Sequence, residues 1–526
     1  MRSLTQSLLL VLFFVATGAL GEAQQPAGQS AAPGAGGAAS ASATREEVNQ
    51  LRQEVAEQRQ TIEELKAMVH ELIEAKAQEA ANPQSGEGAQ LLNATLVTAQ
   101  GGTTAAPAQQ LAEKKETSPA PSAGWNGDHF FIRAGEFQIM PNGYFQSDYR
   151  GYKGDGAPNN TFVIRRARFG FLGNYGKYYD YSVLLDAAAS NGLTLRDLFI
   201  NIKPAPYAQF QVGQFKEPFA QEEMLAVTNT DFVERSLASL LYPQASTAYR
   251  SPGGQVRGDV DGGVVQYWVG AFNGKGILTN NTTNEPEVLA RLRFYPWRKK
   301  KDSMFQGFAF GGAFAHGRSR GLSNETSFSP TLPDAAYTFF PCCFAINGGI
   351  ERYNGEFTWV RGRWAVRGEY NELLQKRENV GSLQVGGIGF TTLPGIRARA
   401  GYVYATYMVT GEAKPENAPP KVKHPLLGPG PEAPGGFGWG AWELAFRYDK
   451  IEAKEPGVSV PSQFTPTAVP TFANHTDAFT FGTNWYLNNW VKYQANFSVD
   501  RLGQPSTTGA LPQNYYVVLQ RLQFRF

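Results

Sequence analysis

From Gly143 to Phe526 the chain alternates apolar and polar residues. Val491, Tyr493, Ala495, Phe497 and Val499 interleave with Lys492, Gln494, Asn496, Ser498 and Asp500. Trp442, Leu444, Phe446 and Tyr448 alternate in the same way with Glu443, Ala445, Arg447 and Asp449, as do Tyr179, Tyr181, Val183 and Leu185 with Asp180, Ser182, Leu184 and Asp186. A period of two is the signature of β-strands with one oily and one wet face. Most runs span roughly nine to thirteen residues, longer than strands of soluble sheets and long enough to cross a bilayer at a tilt. Backbone groups in lipid must all be paired, so the strands have to close into a ring. Sixteen are predicted: 143–152, 162–174, 177–188, 193–204, 207–217, 253–260, 263–272, 287–296, 305–317, 347–359, 363–375, 395–410, 438–452, 475–487, 490–501 and 513–526. Tyr178, Trp359, Trp364, Trp485 and Trp490 at strand ends fit aromatic girdles at the two membrane interfaces. The tight turns Asn174–Lys177, Val360–Arg363 and Asn488–Asn489 fall on one side, read as periplasmic. The long Pro-rich stretch 411–437 falls on that side too and breaks the rule. Pro218–Pro252, the longest connection among the early strands, is the candidate for an inward loop that narrows the lumen.

The N-terminal part has a different pattern. Leu8–Leu20 is an apolar run too short for a spanning helix, follows Arg2 and leads to small residues, so residues 1–23 read as a signal peptide. Residues 24–44 form a flexible linker. Over 45–80, Val48, Val55, Ile62 and Val69 recur every seventh residue, and so do Leu51, Gln58, Leu65 and Leu72 three places later. That spacing predicts an α-helical coiled coil in the periplasm, whose oligomer number the segment leaves open because Gln58 is a polar core residue. A low-complexity linker, 81–124, leads to the barrel domain, 125–526. The fold class expected is therefore an all-β transmembrane barrel of about sixteen antiparallel strands preceded by a coiled coil.

Composition narrows the functions. Forty-eight basic residues against 46 acidic ones, a net charge of +2, give no concentrated basic face for nucleic acid. Cys342 and Cys343 are adjacent and do not make a disulfide framework. Gly317–Gly321 fits G-x-S-x-G, but no helical pattern follows to form a nucleophile elbow. The five histidines, His70, His129, His316, His424 and His475, lack metal-ligand spacing. No enzyme, metal or cofactor is expected.

Several stretches resemble the phosphate-selective porin O and P family: FVIRRARFGFLG at Phe162–Gly173, VGQFKEPF at Val212–Phe219, FVERS at Phe232–Ser236, TYMVTGE at Thr406–Glu412, GAWELAFRY at Gly440–Tyr448 and NWYLN at Asn484–Asn488. The resemblance implies an outer-membrane homotrimer of sixteen-stranded barrels, surrounded by outer-membrane lipids, passing small anions such as phosphate along a ladder of basic side chains. Arg165 and Arg166 match the family's paired arginines. Strand parity favours Arg166 and Arg168 as the lumen pair, because Phe169 and Phe171 share parity with Arg165. Arg235 matches the loop arginine of an E-R pair, and Arg318 with Arg320 resembles a second loop cluster more loosely. Arg291 and Arg293 are further candidates on a well-patterned strand. One departure stands out. Where phosphate-selective members carry a loop lysine, this chain has Glu222 and Glu223, and no Lys or Arg lies between Lys216 and Arg235. On the well-patterned strands, Arg166, Arg168, Arg291, Arg293, Arg367, Arg447, Lys492, Arg521 and Arg525 face Asp180, Asp186, Glu369, Glu443, Asp449 and Asp500, which predicts a mild anion preference at most. Two other readings stay open at this point: a general diffusion porin for small uncharged solutes, and a structural protein contacting the cell wall through its coiled coil.

Overall fold

The structure, a computed structural model, describes residues 121–526 apart from 127–128, 155–156, 189–191, 242–248, 320–345, 385–386, 429–435, 455–474 and 504–512. The expected signal peptide, coiled coil and cell-wall contact, Cys342, Cys343 and Arg320 lie outside the described residues. A short hairpin comes first, β1 (Ser122–Trp125) and β2 (Phe130–Ala134). The barrel strands follow: β3 (Phe137–Lys153), β4 (Thr161–Tyr175), β5 (Tyr179–Asp186), β6 (Thr194–Ala205), β7 (Ala208–Lys216), β8 (Arg250–Val260), β9 (Val265–Phe272) and β10 (Glu287–Phe294). Then come β11 (Phe308–Ser319), β12 (Gly348–Arg361), β13 (Trp364–Gln384), β14 (Gly387–Met408), β15 (Ala441–Lys454), β16 (His475–Tyr486), β17 (Val491–Gly503) and β18 (Gln513–Arg525). Each pairs antiparallel with its sequence neighbour, and β18 pairs with β3, so β3–β18 form a closed ring of sixteen. Every strand expected from the alternation is present.

The seam of the ring depends on a glycine. Phe526 N donates to Gly143 O at 2.9 Å and Gly143 N to Phe526 O at 3.1 Å. A Cβ on Gly143 would lie 2.5 Å from Cζ of Phe526 and 2.8 Å from the carbonyl oxygen of Arg168. The G143A variant is therefore expected to lose about 1–3 kcal/mol through overpacking, read as a lower heat-resistant folded fraction in gel mobility.

The outer face is oily along β4–β6, where Phe162, Ile164, Phe169, Phe171, Leu198 and Ile200 are exposed. Girdle residues meet at the short-turn end: Trp364 packs on Tyr407 with centroids 4.5 Å apart, Trp442 stacks on Trp485 at 5.0 Å, and Trp125 of the N-terminal hairpin meets Trp490 at 5.0 Å. Ser122–Gly124 of β1 fall in the segment expected to be linker. Their small and polar residues carry no alternation, and pairing with β2 supplies the order instead.

Two connections exchange the usual lengths. β13 and β14 stay paired up to Gln384 and Gly387, with register shifts between Gln375, Arg377 and Val380, so at the long-loop end the ladder runs on through residues expected to be loop. At the opposite end, residues 409–440 form the long connection, in the register the sequence implied. Part of this segment folds back into the barrel, where Val422 is buried with Met408, Ala441 and Tyr486.

Candidate functional site

The connection between β7 and β8 crosses the lumen. It contains a short helix, α1 (Gln221–Met224), and two 3-10 turns, Val227–Asn229 and Leu237–Leu241. Phe232, Leu237, Ala238, Leu240 and Leu241 pack against Ile396, Ala398, Ala400, Tyr402 and Tyr404 of β14, Ala445 and Ile451 of β15 and Ala478 of β16. A loop with this many large apolar groups has no reason to stay in water, and the inner wall of β14–β16 gives it a matching surface. Residues 409–428 meet it from the other end. Lys414 Nζ pairs with Glu443 Oε1 at 2.6 Å and with Asp231 of the crossing loop, Tyr404 donates to Asp231 at 3.0 Å, and Asn229 donates to the Asn417 carbonyl at 2.8 Å. Glu416 is held by Arg293 at 2.9 Å and by the Tyr295 hydroxyl at 2.8 Å.

Sequence parity allowed only one of Arg165 and Arg166 in the lumen, and the structure corrects this. Gln146 opposes Arg166 while Ser147 opposes Ile164, so Arg165 is the extra residue of a β-bulge. A bulge re-aims its side chain, and Arg165 Nε reaches Glu234 Oε1 of the crossing loop at 3.0 Å. The signal was present in the strand itself: Phe162 and Ile164 face outward on even numbers, Phe169 and Phe171 on odd ones. Arg196 is bulged in the same way between β5 and β6 and reaches Asp186 at 3.3 Å. A second correction concerns Arg318, expected near the pore. It shares the outward parity of Phe310, Phe314 and His316 on β11 and lies 3.7 Å from Glu285.

The other candidates are buried in the lumen and matched with acceptors. Arg168 Nε is 2.7 Å from Asp186, and its Nη1 donates to the Tyr144 hydroxyl at 2.8 Å. Arg291 is 2.6 Å from Glu356 and lies over the Trp268 ring, while Arg293 is shared by Glu356 and Glu416. Among the described residues Arg235 is paired with no carboxylate. It donates to the backbone carbonyls of Glu222 and Leu225, both at 3.0 Å, and stands over Tyr249, which pins the loop after α1. Glu222 is likewise committed to the loop, accepting from Ser236 N at 3.0 Å and Ser236 Oγ at 2.5 Å. Burial pushes the Glu223 carboxyl well above its ordinary value, against the pull of Arg352.

Sequence reasoning missed several wall and loop residues. Arg250 forms two 2.8 Å bonds with Asp197, Arg352 joins Glu217 at 3.1 Å and Glu287, and Arg521, already counted among the lumen candidates, forms two 2.7 Å bonds with Asp148, which was not. Asp148 and Arg150 alternate with Ser147 and Tyr149, so parity alone could have found that pair. Glu234 is the least expected. It faces Arg150, Arg165 at 3.0 Å, Arg521 at 3.3 Å and Arg166 at 4.0 Å. Burial alone would raise its carboxyl, but Arg165, Arg150 and Arg521 hold it well below its ordinary value.

A closed sixteen-stranded ring with an oily outer face, a charged lumen and a long loop folded across that lumen defines an outer-membrane porin. The family model described as phosphate-selective porin O and P matches residues 139–526, and the chain belongs to that family. Solved structures with a similar fold include the outer-membrane channel DcaP of Acinetobacter baumannii, at 10% identity and TM-score 0.46, covering 75% of this chain and 99% of that one. OmpF of Salmonella typhi is 11% identical with TM-score 0.45, covering 77% of this chain and 100% of that one. A loop-deletion mutant of OmpT from Vibrio cholerae is 12% identical with TM-score 0.43, covering 74% of this chain and 100% of that one. No curated protein matches the chain in sequence.

Proposed function

We propose that the chain forms a passive channel for small hydrophilic solutes with only a mild preference for anions, phosphate among them, and that it works as a homotrimer. The observation that carries the mild preference is the pairing of the arginine ladder. Arg168, Arg250, Arg291, Arg352 and Arg521 each lie within 3.1 Å of a carboxylate from the wall or the crossing loop. A guanidinium already held by a carboxylate offers a passing anion far less than a bare one. The trimer is supported by the outward positions of β4–β6, which hold aromatic and aliphatic residues and no charge, whereas those of β14–β17 carry Arg397, Arg399, Lys450, Asp477 and Arg501. The first face suits burial against a second copy, the other suits lipid headgroups and water.

The test is a planar bilayer with a potassium chloride gradient. A small reversal potential on the chloride-preferring side, with weak block by phosphate, is expected. Strong cation preference, or no channels from folded protein, would overturn the reading.

A further inference from the structure

We propose that Glu234 is a tethered counter-anion, its carboxylate standing where a permeant oxyanion would stand among the guanidinium groups of Arg150, Arg165, Arg166 and Arg521, and that it sets the weak selectivity of the channel. This rests on the channel reading above and names the residue responsible. The geometry is that of an oxyanion site. Arg150 on β3, Arg165 and Arg166 on β4 and Arg521 on β18 converge on one point from three adjacent strands, and the β4 bulge adds the fourth guanidinium that regular alternation would have turned away. Guanidinium forks match carboxylate and phosphate oxygens alike.

The second carboxylate nearby plays a different part. Asp148 is clasped by Arg521 through two bonds and by Arg150 at 3.0 Å, all three residues belonging to the barrel wall. Glu234 arrives from the loop, and its backbone has its own anchors. Val233 N donates to Asn496 Oδ1 at 2.7 Å, Arg521 donates to the Val233 carbonyl, and Arg447 Nη1 donates to the Glu234 carbonyl at 3.0 Å. The loop is thus held at this point without the carboxylate, which leaves the side chain free to serve another end. Four cations face two carboxylates here, so the node keeps net positive charge even with Glu234 in place. Arg166, buried and bonded to Gln146 at 2.8 Å, has an Nε–H with no acceptor among the described residues. A tethered carboxylate competes at an effective concentration of mM or above, so dilute solute anions do not displace it. Arg165, with a side chain 35% exposed, is the member of the node most open to them.

The experiment uses the full chain in planar bilayers and compares wild type with E234Q. Removing one unit charge from the node is expected to raise the chloride-to-potassium permeability ratio about fivefold and to make inorganic phosphate a clear blocker, with conductance not increased. R165Q is the second variant and serves if E234Q fails to fold; it is expected to lower the ratio by a similar factor. If E234Q conducts with the wild-type reversal potential and no phosphate block, Glu234 is not the counter-anion. Higher conductance with unchanged selectivity makes it a loop staple, and a wild-type ratio in R165Q overturns the proposal equally. Absence of channels in wild type would instead sink the channel reading beneath it.

Discussion

Replacing Lys414 by methionine is expected to give the largest loss of stability of any single substitution in the lumen, and at the same time to enlarge the conducting path. The lysine joins two inward segments that enter from opposite ends of the barrel: Asp231 belongs to the crossing loop and Glu443 to the wall of β15, while Lys414 itself lies in the connection after β14. All three side chains are almost fully buried. Methionine keeps the volume of the lysine stem and removes the charge, which leaves two carboxylates facing each other. Breaking a buried pair on one side costs about 3–5 kcal/mol, and here one cation compensates two anions. Burial opposes the charged form of Lys414, but Asp231 and Glu443 raise its affinity for the proton, so the lysine stays charged at neutral pH. The measurement is denaturant unfolding of the barrel in detergent together with single-channel conductance. K414M is expected to unfold at lower denaturant and to conduct more, because residues 409–428 lose their tie to the crossing loop. Combining it with D231N should recover part of the loss, since the repulsion between the two carboxylates is then removed and one uncompensated charge remains instead of two. Equal stability of K414M and wild type would mean that water already screens the triad.

The barrel was legible in the chain because its driving force is local. Each strand must present an apolar face to lipid, so the period of two is enforced residue by residue, and all sixteen strands follow from it. What alternation could not give is where it fails. The bulges at Arg165 and Arg196 add one residue each and reverse the parity of everything beyond, so a rule built on strict parity placed Arg165 with Phe169 and Phe171. The apolar residues flanking Arg165 switch parity within the same strand, so the information was present but was read as one register. The Lys414 triad and the cage around Glu234 were out of reach for another reason. They join segments up to 287 residues apart in sequence, through side chains whose partners depend on how two loops pack inside the ring. Fidelity to family motifs pointed at FVERS, yet the motif drew attention to its arginine. In the structure Arg235 holds the loop's own carbonyls, and the glutamate before it meets the wall.

Phe232, two residues before that glutamate, is where the crossing loop is bolted to the barrel, and F232A is expected to release it. The ring is 2% exposed, meets Tyr404 edge-on with centroids 5.4 Å apart, and carries the Arg447 guanidinium 4.4 Å above its face. It also reaches β16 at Gly482, where a Cβ would make ordinary van der Waals contact with the ring at 3.4 Å, while the close approach at that glycine is by Asn496 Nδ2, at 2.7 Å. Truncating a buried phenylalanine costs about 3–5 kcal/mol, and the loss falls on loop docking rather than on the ladders of the ring, whose hydrogen bonds Phe232 does not share. About 3 kcal/mol is roughly a hundredfold in the docking equilibrium. The undocked loop, no longer shielded by the wall of β14–β16, would be cut by protease and its amides would exchange faster, while the barrel kept its heat-resistant mobility. Conductance should rise and become noisy as the loop moves in and out of the path. The alternative is that the remaining apolar residues, Leu237, Leu240 and Leu241, hold the loop unaided. Wild-type protease resistance and quiet wild-type conductance in F232A would establish that, and would move the anchor of the constriction to the second 3-10 turn.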